Sequence, residues 1–155
     1  MRIVIALGFL AGIAAAQSNA TPLTGAWRVV ERTATGRGGT TTSNPQPGLL
    51  LFTKNYFSIV YDHANKPRPD LGPNSTDAER LAALRAVQVQ SGTYEISGTT
   101  LIRHDIVAAS PNDMHAGNTT TAIFKLEGNT LVITGISNVD GPIANPTTTK
   151  WKRLE

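Results

Sequence analysis

The feature that most constrains this chain is a series of short segments in which apolar and polar residues alternate. Alternation with a period of two, β-branched and aromatic content, and Gly, Pro or Asn at the boundaries indicate β-strands. The predicted strands lie at residues 25–33, 48–53, 56–62, 91–97, 100–108, 120–127, 130–137 and 148–154. Gly98-Thr99 and Gly128-Asn129 are short enough for hairpin turns. Successive strands are therefore expected to pair antiparallel.

The composition supports an all-β domain. Charged residues make up 16% of the 155 residues, and there are 14 Gly and 9 Pro, which argues against a helical bundle. Eight sequential strands can remove their free edges by closing into a barrel, although a sandwich satisfies the same pattern. The hairpin spacing favours an antiparallel up-and-down barrel of about eight strands over residues 21–155.

One helix is expected to interrupt the strands near residues 76–87. Thr76-Asp77-Ala78-Glu79 matches the capping box, in which the Thr and Glu side chains bond each other's backbone N–H groups. Ala78, Leu81 and Leu84 then share one face at helical spacing. This apolar face predicts that the helix packs on the β structure as a plug or lid.

Residues 1–20 have the pattern of a secretory signal peptide. Arg2 is followed by an uncharged apolar run over residues 3–16, and small residues precede two cleavage sites, after Ala16 and after Ala20. The apolar run is shorter than the ~20 residues that a membrane-spanning helix needs. The pattern predicts a secreted or periplasmic protein without a stable membrane anchor.

Several function classes lack their sequence signals. The chain has no cysteine, and its net charge of +3 is spread over scattered Lys and Arg residues, so neither a thiolate metal site nor a nucleic-acid partner is expected. The histidines, His63, His104 and His115, do not have metal-ligand spacing. The prediction is no metal, no cofactor and no catalytic motif, and the sequence carries no signal for an oligomeric state.

A set of ordered motifs resembles the bacterial and fungal lipocalin-like domain proteins, which have calycin-type barrels. The first is G-x-W at Gly25-Ala26-Trp27, typical of the first strand in that group. The others are residues 47–53 (PGLLLFT), 56–58 (YFS), 66–69 (KPRP), 91–96 (SGTYEI), His104, 124–131 (FKLEGNTL) and 151–154 (WKRL). The resemblance covers residues 23–154 and implies a barrel fold and, more weakly, small-molecule binding.

Strand alternation assigns side chains to the predicted barrel interior. The interior is expected to be apolar and aromatic with a few polar groups, which is the lining that a small-molecule site requires. The predicted ligand-binding residues are Glu31, Phe57, Ile59, Tyr61, His63, Tyr94, His104 and Phe124. Trp27 and Trp151, with Arg153 stacked on an indole, are expected to close one end of the barrel.

Three functions remain open at this stage. The leading interpretation is an exported carrier of a small hydrophobic ligand. The second is a small enzyme of the isomerase or cyclase type, in which His104 transfers protons with Tyr61 or Glu31. The third is a barrel that acts through its surface, with a solid core instead of a cavity.

Overall fold

The structure is a computed structural model that describes residues 21–155. The predicted signal peptide at residues 1–20 lies outside the described residues. In chain order, the described elements are β1 (Gly25–Ala34), β2 (Thr41–Ser43), β3 (Gly48–Phe52), β4 (Tyr56–Asp62), α1 (Asp77–Arg85), β5 (Val87–Ser97), β6 (Thr100–Ala108), a 3₁₀ helix (Pro111–Met114), β7 (Thr120–Glu127), β8 (Thr130–Asn138), β9 (Gly141–Pro142) and β10 (Thr147–Arg153).

Within residues 21–155, eight of the strands close into an antiparallel barrel. The strand order is β1-β3-β4-β5-β6-β7-β8, and β10 pairs with both β8 and β1 to complete the ring. The short strands β2 and β9 pair with β1 and β8 beside the ring. Closure gives every barrel strand two neighbours, which removes free edges. The predicted all-β, up-and-down barrel with one short helix is confirmed.

The strand boundaries agree closely with the predicted ones, and β4, β6 and β7 match them at both ends. The largest difference is in β5, which begins at Val87 instead of residue 91. Gln88 and Gln90 made this start hard to recognise as a strand, yet Gln90 is buried and hydrogen-bonded. A polar residue in a core position conceals the alternation that identifies a strand.

The helix α1 has the predicted cap, but its predicted packing is wrong. Thr76 and Glu79 form the capping box, whereas Leu81 and Leu84 are 45% and 64% exposed. Polar contacts hold the helix instead, including a hydrogen bond from the Arg68 guanidinium to the Ala83 carbonyl. Among residues 21–155, no helix has both the length and the apolar character that crossing a bilayer requires.

One end of the barrel is closed by the packing of Trp27. Its side chain is fully buried, and its indole N–H donates to the Leu23 carbonyl at 2.9 Å. The Arg153 guanidinium lies 4.0 Å from the centroid of the Trp27 ring and donates to the carbonyls of Pro22 and Thr24. The predicted stacking of Arg153 on an indole at the closed end is therefore confirmed.

Candidate functional site

The barrel interior beyond Trp27 contains a cavity of about 250 Å³. Its apolar wall consists of Leu50, Phe52, Ile59, Leu101, Ala122, Ile133, Ile143 and Trp151. Its polar lining consists of Arg32, Tyr61, His63, Gln88, Arg103, Thr147 and Thr149. Part of the interior is thus open space beside a packed core, whereas the sequence also allowed a core that is solid throughout.

Strand β4 and the residue after it supply three of the predicted site residues. Ile59, Tyr61 and His63 all line the cavity, as the alternation predicts. The Tyr61 ring lies edge-on to the imidazole of His63, with a centroid distance of 4.6 Å, and to the indole of Trp151, at 6.1 Å. These aromatic contacts fix the Tyr61 ring at the boundary between the apolar wall and the polar lining.

Three further predicted site residues point inward but lie in the packed core, outside the cavity lining. Phe57 and Phe124 are buried in the core cluster. The Tyr94 ring packs edge-on against Phe52 at 4.9 Å, and its hydroxyl donates to the Thr53 carbonyl at 2.8 Å. The inward orientation is confirmed for all three, and their ligand-binding role stays a prediction.

The prediction that Glu31 faces the interior is wrong because β1 contains a β-bulge. Val29 pairs with Trp151 and Glu31 with Lys150, so Val30 is an extra residue on β1. An extra residue reverses which side chains face inward beyond it. The Glu31 carboxylate forms an ion pair with Lys150 at 2.7 Å on the outside, and Arg32 lines the cavity instead.

The prediction that His104 faces the interior is also wrong. Its imidazole is 41% exposed and lies 3.6 Å from the carboxylate of Glu95 on the outer surface. The inward face of β6 carries Leu101 and Arg103. Alternation defines two faces of a strand, and the isoleucines on either side of His104 favoured the wrong face. His104 therefore meets neither Tyr61 nor Glu31 in the cavity, and the proton-transfer site suggested by the sequence is not assembled.

The two tryptophans occupy different levels of the barrel. Trp27 lies opposite Arg153 at the closed end, whereas Trp151 lies opposite Val29, two residues further along β1. The Trp151 indole N–H donates to the Thr149 hydroxyl at 2.8 Å, and its ring lines the cavity. Trp151 is therefore both a core residue and one of the aromatic residues that line the cavity.

A chain of hydrogen-bonded side chains extends from the cavity lining to β6. His63 Nε2 is 3.0 Å from Gln88 Oε1, the Gln88 amide donates to Gln90, and the Gln90 amide donates to Asp105 at 2.9 Å. Because Gln88 accepts with its oxygen, His63 donates from Nε2. Burial lowers the pKa of His63, partly opposed by its hydrogen bond to Gln88. His63 is thus held as a neutral donor.

The positive charge of Arg103 is compensated by two acidic side chains, Asp105 and Asp113. Its Nε donates to the Thr120 hydroxyl at 3.1 Å, and its guanidinium lies 5.3 Å from the centroid of the Phe57 ring. Burial lowers the pKa of Arg103, and the negative charges of Asp105 and Asp113 oppose that shift. Burial in turn raises the pKa of Asp105, and Arg103 opposes it. Arg103, Asp105 and Asp113 are therefore a mutually compensating group.

Sequence reasoning missed five polar residues of the cavity lining, which are Arg32, Gln88, Arg103, Thr147 and Thr149. Arg103 was recoverable, since Leu101 and Arg103 alternate as regularly as their neighbours. Arg32 carried no local signal, because the bulge is defined by pairing with β10. Gln88 lay before the predicted start of its strand. Among residues 21–155, no three His, Asp or Glu side chains are grouped in a way that suits a metal ion.

Comparison with known proteins leaves the cavity as the main guide to function. No protein-family model matches this chain, and no curated protein matches it. The closed eight-stranded antiparallel barrel of residues 21–155 is compatible with a lipocalin-like calycin fold. Since one fold can host many functions, function is inferred here from the residues that line the cavity.

Proposed function

We propose that this protein is a lipocalin-like carrier that binds a small, mostly apolar molecule inside its barrel. One observation carries the proposal, which is the cavity of about 250 Å³ between the apolar side chains of the barrel and Trp151. Ligand sites are concave and largely apolar, with a few polar groups that orient the ligand. Tyr61, His63 and Gln88 are polar groups of this kind at one side of the cavity.

The size of the cavity limits the ligand. Pockets for small molecules usually occupy about 300–1,000 Å³, and this one is slightly smaller at about 250 Å³. A compact molecule with one or two fused rings, or a short branched chain, suits this volume. Contact with Leu50, Ile59 and Leu101 would contribute most of the binding free energy through burial of apolar surface.

Binding is favoured over proton transfer because His104 lies outside the barrel, 41% exposed. A general base has to reach the proton that it abstracts, within hydrogen-bond distance or through one water. His104 does not line the cavity that would hold the substrate. The positions of the cavity groups therefore support retention of a ligand.

The proposal includes export to the periplasm or to the exterior of the cell. Its support is the sequence pattern of residues 1–20, with cleavage after Ala16 or Ala20. N-terminal sequencing of the protein recovered from its host is the direct measurement. A first residue of Gln17 or Thr21 is expected, and an intact Met1 in the host cytoplasm would contradict export.

Filling the cavity is the direct test of binding. Gly135 lines the cavity, and a Cβ atom added there would lie 3.5 Å from Ile143, an ordinary contact. A leucine at this position therefore extends into the space that the ligand would occupy. We expect native protein to bind naphthamide, a neutral fused-ring amide, and Gly135→Leu to weaken the binding about tenfold or more, measured by fluorescence titration.

Gly72→Leu is the matched control. Gly72 is exposed in the loop before α1, and a Cβ atom there would have no neighbour within 4 Å. This variant should bind naphthamide as the native protein does. Equal affinity of Gly135→Leu and native protein for naphthamide, or failure of native protein to bind both naphthamide and its carboxylate analogue naphthoate, would contradict an interior binding site.

A further inference from the structure

Arg32 is the cavity residue whose charge the protein leaves uncompensated. The bulge in β1 turns its side chain into the barrel, where it lines both the cavity and the adjoining recess beside Thr40, Thr42 and His63. Its Nε atom is buried and has no hydrogen-bond partner within residues 21–155. A buried donor without a partner costs free energy, so such donors normally bond protein or water.

Two carboxylates, from Glu31, the chain neighbour of Arg32, and from Asp62 at the end of β4, are already paired with other cations. The Glu31 carboxylate contacts Lys150 at 2.7 Å, and the Asp62 carboxylate contacts Arg68 at 2.7 Å. The other interior arginine, Arg103, has Asp105 and Asp113 beside it. Within residues 21–155, no carboxylate forms an ion pair with Arg32. Arg32 is therefore a charged residue of the cavity lining that has no ion-pair partner within residues 21–155.

The groups around Arg32 respond to that charge. Burial raises the pKa of Tyr61 and lowers the pKa of His63, and the Arg32 guanidinium acts to lower the pKa of both residues. The positive charge of Arg32 that affects Tyr61 and His63 would also attract a negatively charged ligand in the cavity. The low dielectric constant of a partly buried site strengthens this interaction relative to water.

We infer that the ligand of this cavity carries one carboxylate, which the Arg32 guanidinium binds while the apolar body of the ligand lies against Ile59, Leu101 and Trp151. A planar guanidinium can donate two parallel hydrogen bonds to a carboxylate, one of them from Nε. Tyr61 lines the same cavity and recess as Arg32, and its hydroxyl can donate to the same oxygens. The inference rests on the proposed function and specifies its ligand class as small aromatic or branched monocarboxylic acids.

Two probes of nearly equal shape test whether the cavity prefers a ligand that carries a negative charge. Naphthoate and naphthamide have the same ring system and differ in the carboxylate and the neutral amide. Native protein should bind naphthoate about tenfold or more tightly than naphthamide near neutral pH, the effect expected of a hydrogen bond to a charged group. Fluorescence titration gives both affinities. Failure of both probes to bind would contradict the proposed function, whereas equal affinity would contradict the carboxylate site alone.

Substitutions of Arg32 assign the preference to this residue. Arg32→Met removes the charge at similar length and should reduce the ratio of the two affinities to about one while naphthamide binding stays within about twofold. Arg32→Lys retains a charge and should keep part of the preference. Arg28→Met is the matched control, since Arg28 is exposed on the same strand, and it should keep the native ratio.

Two results would overturn the assignment to Arg32. One is an unchanged preference for naphthoate in Arg32→Met. The other is the loss of both probes from an Arg32→Met protein that melts at the native temperature, because Arg32 would then shape the cavity without binding the anion. If Arg32→Met does not fold, the Arg32→Lys variant decides, and a ratio of one in that folded variant contradicts the specific guanidinium contact.

Discussion

Trp27 and Arg153 show what single side chains contribute at the closed end of the barrel. The indole is fully buried, and both its face and its N–H have partners, Arg153 at 4.0 Å and the Leu23 carbonyl at 2.9 Å. Packing, a cation–π contact and a hydrogen bond thus act on one residue. Trp27 itself lies outside the cavity lining, so these contacts stabilise the closed end of the barrel and leave the cavity open.

Loss of the Trp27 side chain should destabilise the protein strongly. Trp27→Ala is expected to lower the free energy of unfolding by about 3–5 kcal/mol, because it removes a large buried aromatic and leaves a cavity. Urea denaturation measures the change. Tyr56→Ala is the control, since Tyr56 is 54% exposed, and it should change the free energy by about 0.5 kcal/mol or less. A similar loss in both variants would contradict the packing at the closed end.

His63 should make stability depend on pH. Burial lowers its pKa in the folded protein, so between the folded and the unfolded pKa the unfolded chain binds more protons. The stabilisation that neutral His63 contributes is therefore complete above its pKa in the unfolded chain, about 6.5. It is lost as the pH falls through its pKa in the folded protein. Melting temperatures measured from about pH 7.5 down to about pH 5 should fall less in His63→Gln than in the native protein. An identical pH profile in the two would contradict a buried neutral His63.

At the scale of single elements, a β-bulge in β1 determines which of its residues reaches the cavity. In β1 the extra residue Val30 brings Arg32 inward. In β6, Gly92 pairs with Asp105 and Ser91 with Val107, so Ile106 is an extra residue opposite them. Bulges bend a strand and reorient its side chains, and they are common beside binding sites in barrels. Arg103 comes before the bulge of β6, so its inward orientation follows from regular alternation with Leu101.

The bulge in β6 depends on a glycine in the neighbouring strand. A Cβ atom on Gly92 would lie 1.9 Å from the His104 carbonyl oxygen, a backbone atom that has little room to move. Gly92→Ala should therefore lower the free energy of unfolding by about 1–3 kcal/mol, as for other overpacking substitutions. Urea denaturation would show this, with Gly72→Ala as the control in open space. Equal stability of the two variants would contradict the close approach of β5 and β6.

At the scale of the whole molecule, closure and hollowness have separate causes. The barrel of residues 21–155 closes because β10 pairs with both β1 and β8. It stays hollow because small residues, Ala122 and Gly135, face the same space as the polar side chains Arg32, Thr147 and Thr149. Barrels of about eight strands either fill with side chains or hold one small ligand, and this lining favours the second arrangement.

The sequence by itself determined the local elements of this protein. Period-two alternation located the eight barrel strands, and the capping box located α1, because both depend on residues that are neighbours in the chain. The stacking of Arg153 on Trp27 was also predictable, since the first and last strands have to meet when a barrel closes. These features need no knowledge of how distant strands align.

The tertiary structure alone decided which side chains form the site. Alternation divides a strand into two faces without saying which is inside, and it assigned His104 to the wrong one. The orientation of Arg32 toward the cavity, in place of Glu31, depends on the register between β1 and β10. These strands lie more than a hundred residues apart in the chain. The cavity itself depends on residues from all eight barrel strands and from the loops between them. Such properties arise from the alignment of distant segments, which a local pattern of residues does not record.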